Sequence, residues 1–146
     1  IPQDIVQIDY ELLYTAVDEN MEIEKGAGDT IKIDGQSIER KLLLGTSSCT
    51  TSCKYKYDNG VTGGTLSLTL VTKNNQIAIF ETPFSLKTGK EIKANQNQII
   101  LPVEEKSMTV TNPKLSTYYL ILRDFGTSKN SNTSLPGYSL FDSGSF

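Results

Sequence analysis

Histidine is missing from the 146 residues, and so is tryptophan. Without an imidazole, the triads and dyads in which a base active at neutral pH activates a nucleophile cannot be assembled, and His-ligated metal sites are excluded with them. The lack of Trp weakens a sugar-stacking platform and leaves that role to tyrosine, of which there are seven. With only two Cys, a metal centre would also lack further thiolates. No apolar run approaches the roughly 18 to 20 residues of a membrane span. No secretory leader precedes Ile1, whose surroundings read as strand, although a trimmed or mature chain would look the same. The expectation is no cofactor, no metal and no catalytic residue.

Bases are scarce at the start of the chain. Residues 1 to 30 hold eight acids (Asp4, Asp9, Glu11, Asp18, Glu19, Glu22, Glu24, Asp29) against Lys25, a net of −7. The total is −3, so the rest carries +4. The overall acidity argues against a nucleic-acid partner. The uneven placement favours head-to-tail association or, more commonly, intramolecular docking.

The two cysteines are Cys49 and Cys53, in SSCTTSCK. Residues four apart in a strand lie about 13 Å apart, and a disulfide needs Cα atoms within about 7 Å. A bond therefore requires a turn or a single helical turn, which Thr50, Thr51 and Ser52 permit. A disulfide is expected, with two free thiols as the alternative. Closing so small a ring contributes about 2 kcal/mol in the chain-entropy model, so its use is to pin a loop. Such a bond points to an extracytoplasmic location: secreted, periplasmic or cell-surface.

Small polar residues are abundant: 30 Ser and Thr and nine Asn, beside 37% apolar residues. Thr favours strands, and Ser and Asn favour turns. In TLSLTLVTKNNQIAIFET (65–82), Leu66, Leu68 and Leu70 alternate with Thr and Ser, Lys73 to Gln76 interrupt, and Ile77, Ile79 and Phe80 resume until Pro83 ends the run. This predicts a central β-hairpin. Val6, Ile8, Tyr10, Leu12, Tyr14 and Ala16 alternate with mostly polar residues and predict a long strand, a helix being the rival.

Asp18 to Asp29 reads as an acidic connection containing Gly26 and Gly28. Ile31 to Ile33 is a short strand, and Ile38 to Leu44 a strand or helical turn. Asp58-Asn59-Gly60 and Thr88-Gly89-Lys90 are turns, and Ile92 stands alone. Strands follow at Ile99 to Leu101, Met108 to Val110 and Tyr118 to Phe125, the last the most apolar and the best placed to be covered on both faces. No amphipathic helix is evident. About eight to ten short strands predict a single all-β domain, an antiparallel β-sandwich (Ig-like or jelly-roll-like), with a closed barrel as the alternative. The sandwich spans residues 1–126. A Ser/Asn/Gly-rich tail or wrapping segment follows over 127–146, in which Leu135, Tyr138, Leu140 and Phe141 could anchor a last strand.

Each chemical signal has a plainer alternative. The carboxylates of Asp18, Glu19, Glu22, Glu24 and Asp29 suit Ca²⁺, but their spacing matches no EF-hand and a solvated acidic loop is the simpler reading. Glu104-Glu105 would face opposite sides of a strand. Asp124 sits at a strand end where a functional acid could be placed, but a turn cap is the commoner reading. Lys54-Tyr55-Lys56-Tyr57 interleaves cations and aromatics. Tyr55 and Tyr57 are therefore the ligand-binding candidates, set against a strand with tyrosines on one face and lysines on the other. Asn132-Thr133-Ser134 fits the N-glycosylation pattern.

The function expected from these readings is a non-enzymatic extracytoplasmic protein-interaction or structural module of a surface structure, filament or secretion assembly. Its partner is another protein or a second copy, and its acidic first strand is a candidate for addition to a neighbour's sheet. The alternative is a small-ligand, carbohydrate-binding module. An enzyme working with carboxylates or Ser and Lys ranks third.

Overall fold

The structure, a computed structural model, describes residues 4–35, 38–101, 106–123 and 137–143. In chain order the elements are β1 (Ile5–Asp18), β2 (Met21–Lys32), β3 (Gly45–Cys49), β4 (Cys53–Tyr57), β5 (Gly63–Thr72), β6 (Ile77–Thr88), α1 (Gly89–Ala94), β7 (Gln98–Ile100), β8 (Ser107–Thr109), β9 (Tyr118–Arg123) and β10 (Tyr138–Asp142). The expected mostly-β antiparallel chain with about ten strands is what forms. Six strands make one open sheet in the order β10-β9-β6-β5-β1-β2, while β3-β4 and β7-β8 are two-stranded. The predicted hairpin at 65–82 falls in β5 and β6, the middle pair of that order. Two compact units are distinguishable, Ile1–Val61 with Ser67–Phe80, and Thr62–Leu66 with Glu81–Phe146.

In the first unit the acidic stretch read as a connection is mostly strand. The turn is just Glu19 and Asn20, both at positive φ (48° and 66°), the backbone twist that suits a two-residue hairpin. Pairing then runs unbroken from Asp18↔Met21 to Gln7↔Lys32. The two glycines that suggested a loop sit inside the strand. A methyl group at Gly28 would lie 2.6 Å from the Tyr10 carbonyl oxygen, so the backbones come closer there than a side chain allows. Ile38 to Leu44, expected as strand or helical turn, carries no regular element.

The register sorts the hairpin into two faces. Ile8, Tyr10, Leu12, Tyr14 and Ala16 pair with Ile31, Asp29, Ala27, Lys25 and Ile23, giving one mostly apolar face. On it Tyr14, Ala16 and Ile31 are buried. The other face carries Asp9, Glu11, Thr15, Glu22, Glu24 and Thr30.

In the second unit the core is built from Ile92 on α1, Ile99 and Leu101, Met108 and Val110, Tyr119 and Ile121 on β9, and Tyr138 on β10. The isolated Ile92 is thus a core residue, placed by a helix that no sequence reading anticipated. Thr88 is its N-cap, its hydroxyl accepting from the Glu91 amide (3.2 Å) while a Glu91 carboxylate oxygen accepts from the Thr88 amide (2.7 Å). The Thr-x-x-Glu spacing is a capping box, and it was legible. The Thr88 hydroxyl and amide hold the Glu91 carboxyl below the ordinary carboxylate range. Of β9, Tyr119 and Ile121 are buried, Leu120 and Leu122 are half-buried and Tyr118 is exposed, so one face is fully covered rather than two. β10 realises the last strand expected around Tyr138, Leu140 and Phe141. Residues 124–136, including Asp124, Leu135 and the Asn132-Thr133-Ser134 sequon, lie outside the described residues, as do Glu104 and Glu105.

Pro83 was expected to end the hairpin's second strand, yet β6 continues through it to Thr88. The ladder shows why this is tolerated. The Gly89 amide donates to the Thr117 carbonyl (2.8 Å) and the Leu86 amide, of opposite parity, to Thr62 on the other side. Odd residues of β6 therefore aim their N–H at β9, and the one missing at Pro83 would meet Arg123, one step beyond the Phe84↔Leu122 pair. The Thr82 hydroxyl donates to that Arg123 carbonyl instead, at 2.7 Å. Thr82 is 1% exposed, so the substitute bond is dry. Thr82→Val keeps shape and strand propensity but removes this donor. It is expected to cost about 1 to 2 kcal/mol in urea unfolding, with Thr82→Ser close to the parent.

Candidate functional site

The β3–β4 hairpin of the first unit is the most exposed regular element. Every residue of β4 is exposed, as are all of β3 except the half-buried Gly45. Its register pairs Cys49 with Cys53, and the two are joined in a disulfide with Cα atoms 4.1 Å apart. The turn required by the four-residue spacing is thus the three-residue tip of an antiparallel ribbon. Tyr55 and Tyr57 stand on one face, opposite Ser47 and Gly45, which are too small to cover them. They are 58% and 70% exposed, the inverse of what packing asks of a large aromatic. Lys54 and Lys56 occupy the other face, the arrangement that the alternation KYKY predicts.

One largely shielded carboxylate fastens the ribbon's base. Asp58, directly after β4, donates its amide to the Leu44 carbonyl (3.0 Å). Its carboxylate accepts from the Tyr14 hydroxyl at 2.7 Å and from the Lys25 ammonium. Tyr14 and Lys25 are themselves cross-strand partners in β1 and β2. The Asp58 side chain is 9% exposed and that of Lys25 27%. Hydrogen bonds from Lys25 and then Tyr14 hold the Asp58 carboxyl below its ordinary range. Burial, reinforced by the Asp58 carboxylate, pushes the Tyr14 phenol up to about 12. The Val17 amide donates to the Asn59 carbonyl (2.8 Å), adding a second tie to β1. The sequence marks Asp58-Asn59-Gly60 only as a turn, and nothing local connects it to residues 33 and 44 positions away.

The outlying lysine also has a partner, since Lys56 Nζ lies 3.9 Å from an Asp18 carboxylate oxygen. Both side chains are well exposed, so this pair adds little stability. With Lys25–Asp58 it shows acids and bases of the first unit pairing within the molecule. Between these pairs lies a polar cavity of about 170 Å³, walled by Asp18, Lys25, Thr46, Lys56, Tyr57 and Asn59. The carboxylates weighed for Ca²⁺ do not converge: Glu22 and Glu24 project from one face of β2 as exposed residues. Among the described residues no group of three or more acids or cysteines is placed to hold a metal ion. Among the described residues no helix is long and apolar enough to cross a membrane.

A second feature concerns backbone rather than side chains. β1, expected as the strand that joins a neighbour's sheet, lies between β5 and β2, so its backbone is committed on both sides. The terminal strand is β2. The Ile33 amide donates to the Val6 carbonyl (2.8 Å), whereas the Val17 amide turns the other way, to Asn59. Even residues of β1 thus bond to odd residues of β2. It follows that Glu22, Glu24, Gly26, Gly28, Thr30 and Lys32 aim their amides and carbonyls outward. None of the described backbone pairings involves that row, in which the Thr30 amide is taken by the Asp29 carboxylate (2.8 Å).

Comparison of the chain with protein-family models, with curated proteins and with solved structures returns no match.

Proposed function

We propose that this chain is a non-enzymatic protein-interaction or structural module, working outside the cytoplasm in a surface structure, filament or secretion assembly, and that it engages its partner by strand addition at β2. The observation that carries this reading is the outward backbone row of a 12-residue terminal strand. A strand of that length spans about 40 Å and offers a ladder of main-chain hydrogen bonds to an added strand. Charged side chains on such an edge are how unintended pairing is held off, and Glu22, Glu24, Asp29 and Lys32 supply them here. A basic or mixed-charge strand would therefore be preferred over a neutral one. The disulfide supports the compartment. The two-layer sandwich belongs to the same proposal, supported by the antiparallel strand content alone.

Proline at an outward-facing position tests this without touching the internal ladder. Glu24 is exposed and its N–H points away from β1, so Glu24→Pro removes a donor that only a visiting strand would use. The parent protein is expected to self-associate in sedimentation velocity or to capture a partner from native extract. The variant should lose that association while keeping its circular dichroism spectrum. A variant that associates as well as the parent, or a strictly monomeric parent that captures nothing, overturns the proposal.

A further inference from the structure

We infer that the strand accepted at this edge is β2 of a second copy, paired antiparallel across a two-fold axis that passes beside Ala27. The inference rests on strand addition at β2 and names its partner. In a two-fold arrangement each edge meets itself, so the outward row from Glu22 to Lys32 bonds to the same row of the other copy. Side chains must also keep to their faces, so the register can shift only in steps of two residues. With Ala27 opposite Ala27, the charges of β2 complement themselves. Glu22 faces the partner's Lys32 and Lys25 faces the partner's Asp29, and symmetry repeats each pair. Ile23 faces the partner's Ile31, Gly26 the partner's Gly28, and Glu24 the partner's Thr30. One step either way sets Lys25 against Ala27 or against Ile31. Two steps set Lys25 against itself or Asp29 against itself. Of these registers, only the one centred on Ala27 gives both Lys25 and Asp29 an opposite charge.

The groups that would meet are within reach of a visitor. Glu22, Asp29 and Lys32 are exposed, and none of them forms an ion pair among the described residues. The Lys25 ammonium already holds Asp58, but it carries three N–H groups and its side chain is 27% exposed, so a second carboxylate can share it. In a single copy the Asp29 carboxylate accepts from the Thr30 amide. On pairing, that amide passes to the partner's Glu24 carbonyl and the carboxylate turns to the partner's Lys25. A two-fold interface is used up by one partner, so association at this edge ends at a dimer.

The test is sedimentation equilibrium on the full chain, with charge reversal at the two ends of the strand. The parent is expected to dimerise, less tightly as salt rises. Glu22→Lys and Lys32→Glu should each weaken the dimer at least tenfold, because symmetry turns two attractive pairs into two repulsive ones. An equimolar mixture of the two variants should recover it, since in the mixed dimer every 22–32 contact again joins opposite charges. Ala27→Cys should give a covalent dimer under oxidised glutathione. Residue 27 faces its own copy as a non-hydrogen-bonded pair, the geometry in which Cys49 and Cys53 are already joined. Glu24→Cys should not cross-link, because the two copies of residue 24 lie six residues, about 20 Å, apart along the strands. A dimer indifferent to both reversals, a mixture that does not recover, or an Ala27→Cys variant that stays uncross-linked overturns the register and the inference with it. A strictly monomeric parent that captures a different protein, and loses it with Glu24→Pro, overturns self-pairing alone and leaves strand addition standing. Self-association untouched by Glu24→Pro overturns both.

Discussion

Asp58→Ala is expected to lower stability by about 2 to 3 kcal/mol, because it leaves the Lys25 ammonium and the buried Tyr14 hydroxyl without their shared acceptor. In a chain of this size that is roughly 8 °C in melting temperature. Part of the loss is spared because Lys25 is 27% exposed and can find water. The variant should also respond differently to pH. In the parent the folded state holds Asp58 ionised below its ordinary range, so in the acid region the unfolded chain binds more protons. The stabilisation is full above about pH 5 and drains away as pH falls through the ordinary aspartate value near 3.9 and down to the depressed one.

The alkaline side mirrors this. The Tyr14 phenol is raised from 10.0 to about 12, so its contribution is complete below pH 10 and lost between pH 10 and 12. Urea unfolding from pH 2.5 to 7 should show a shallower acid limb for Asp58→Asn than for the parent. Parallel limbs would mean that the carboxylate is not what ties the ribbon's base to the β1–β2 hairpin.

Gly89→Ala sets two effects against each other, and their sizes decide the outcome. Gly89 opens α1, where alanine is the better helix former by about 1 kcal/mol. Yet a Cβ built there would sit 1.9 Å from the Lys114 carbonyl oxygen, and the Gly89 amide donates to Thr117 at 2.8 Å. Admitting the methyl group would push the 114–117 backbone away. That segment is also held by the Lys114 amide on the Tyr119 hydroxyl (2.9 Å), and Tyr119 is a core residue. The clash should win, for a net loss of about 3 kcal/mol in chemical unfolding. Lys90→Ala, one residue along and exposed, should stay within about 0.5 kcal/mol of the parent. If Gly89→Ala proved stabilising, the close packing of α1 on that backbone would be wrong.

What the amino-acid order disclosed was local periodicity. Leu66, Leu68 and Leu70, and Val6 through Ala16, alternate strictly enough to place β5 and β1. The cysteine spacing demanded a turn, and the KYKY run put its tyrosines on one face. Acidic residues and glycines hid β2, because alternation with Glu, Lys and Gly satisfies a strand with one wet face as well as it does a loop. The two-residue turn at Glu19-Asn20 joins Asn, which takes positive φ readily, to Glu, which rarely does, so the pair does not read as a hairpin turn. Pro83 misled because the rule that excludes proline from inner strands assumes no other donor, and Thr82 supplies one. The Asp58 anchor was beyond reach in kind, since it depends on which residues of a distant hairpin face each other. So did the cavity beside it.

The Cys49–Cys53 cross-link closes the end of a ribbon, not the seam of a core. Four further residue pairs, from Ser48↔Lys54 to Gly45↔Tyr57, keep the two strands together behind it, and Asp58 holds their root. Cutting the bond would loosen three residues and leave the architecture standing. Oxidation here trims the wandering of a fingertip made of threonine and serine, and a thiol-rich surrounding would blunt the finger while the hand kept its shape.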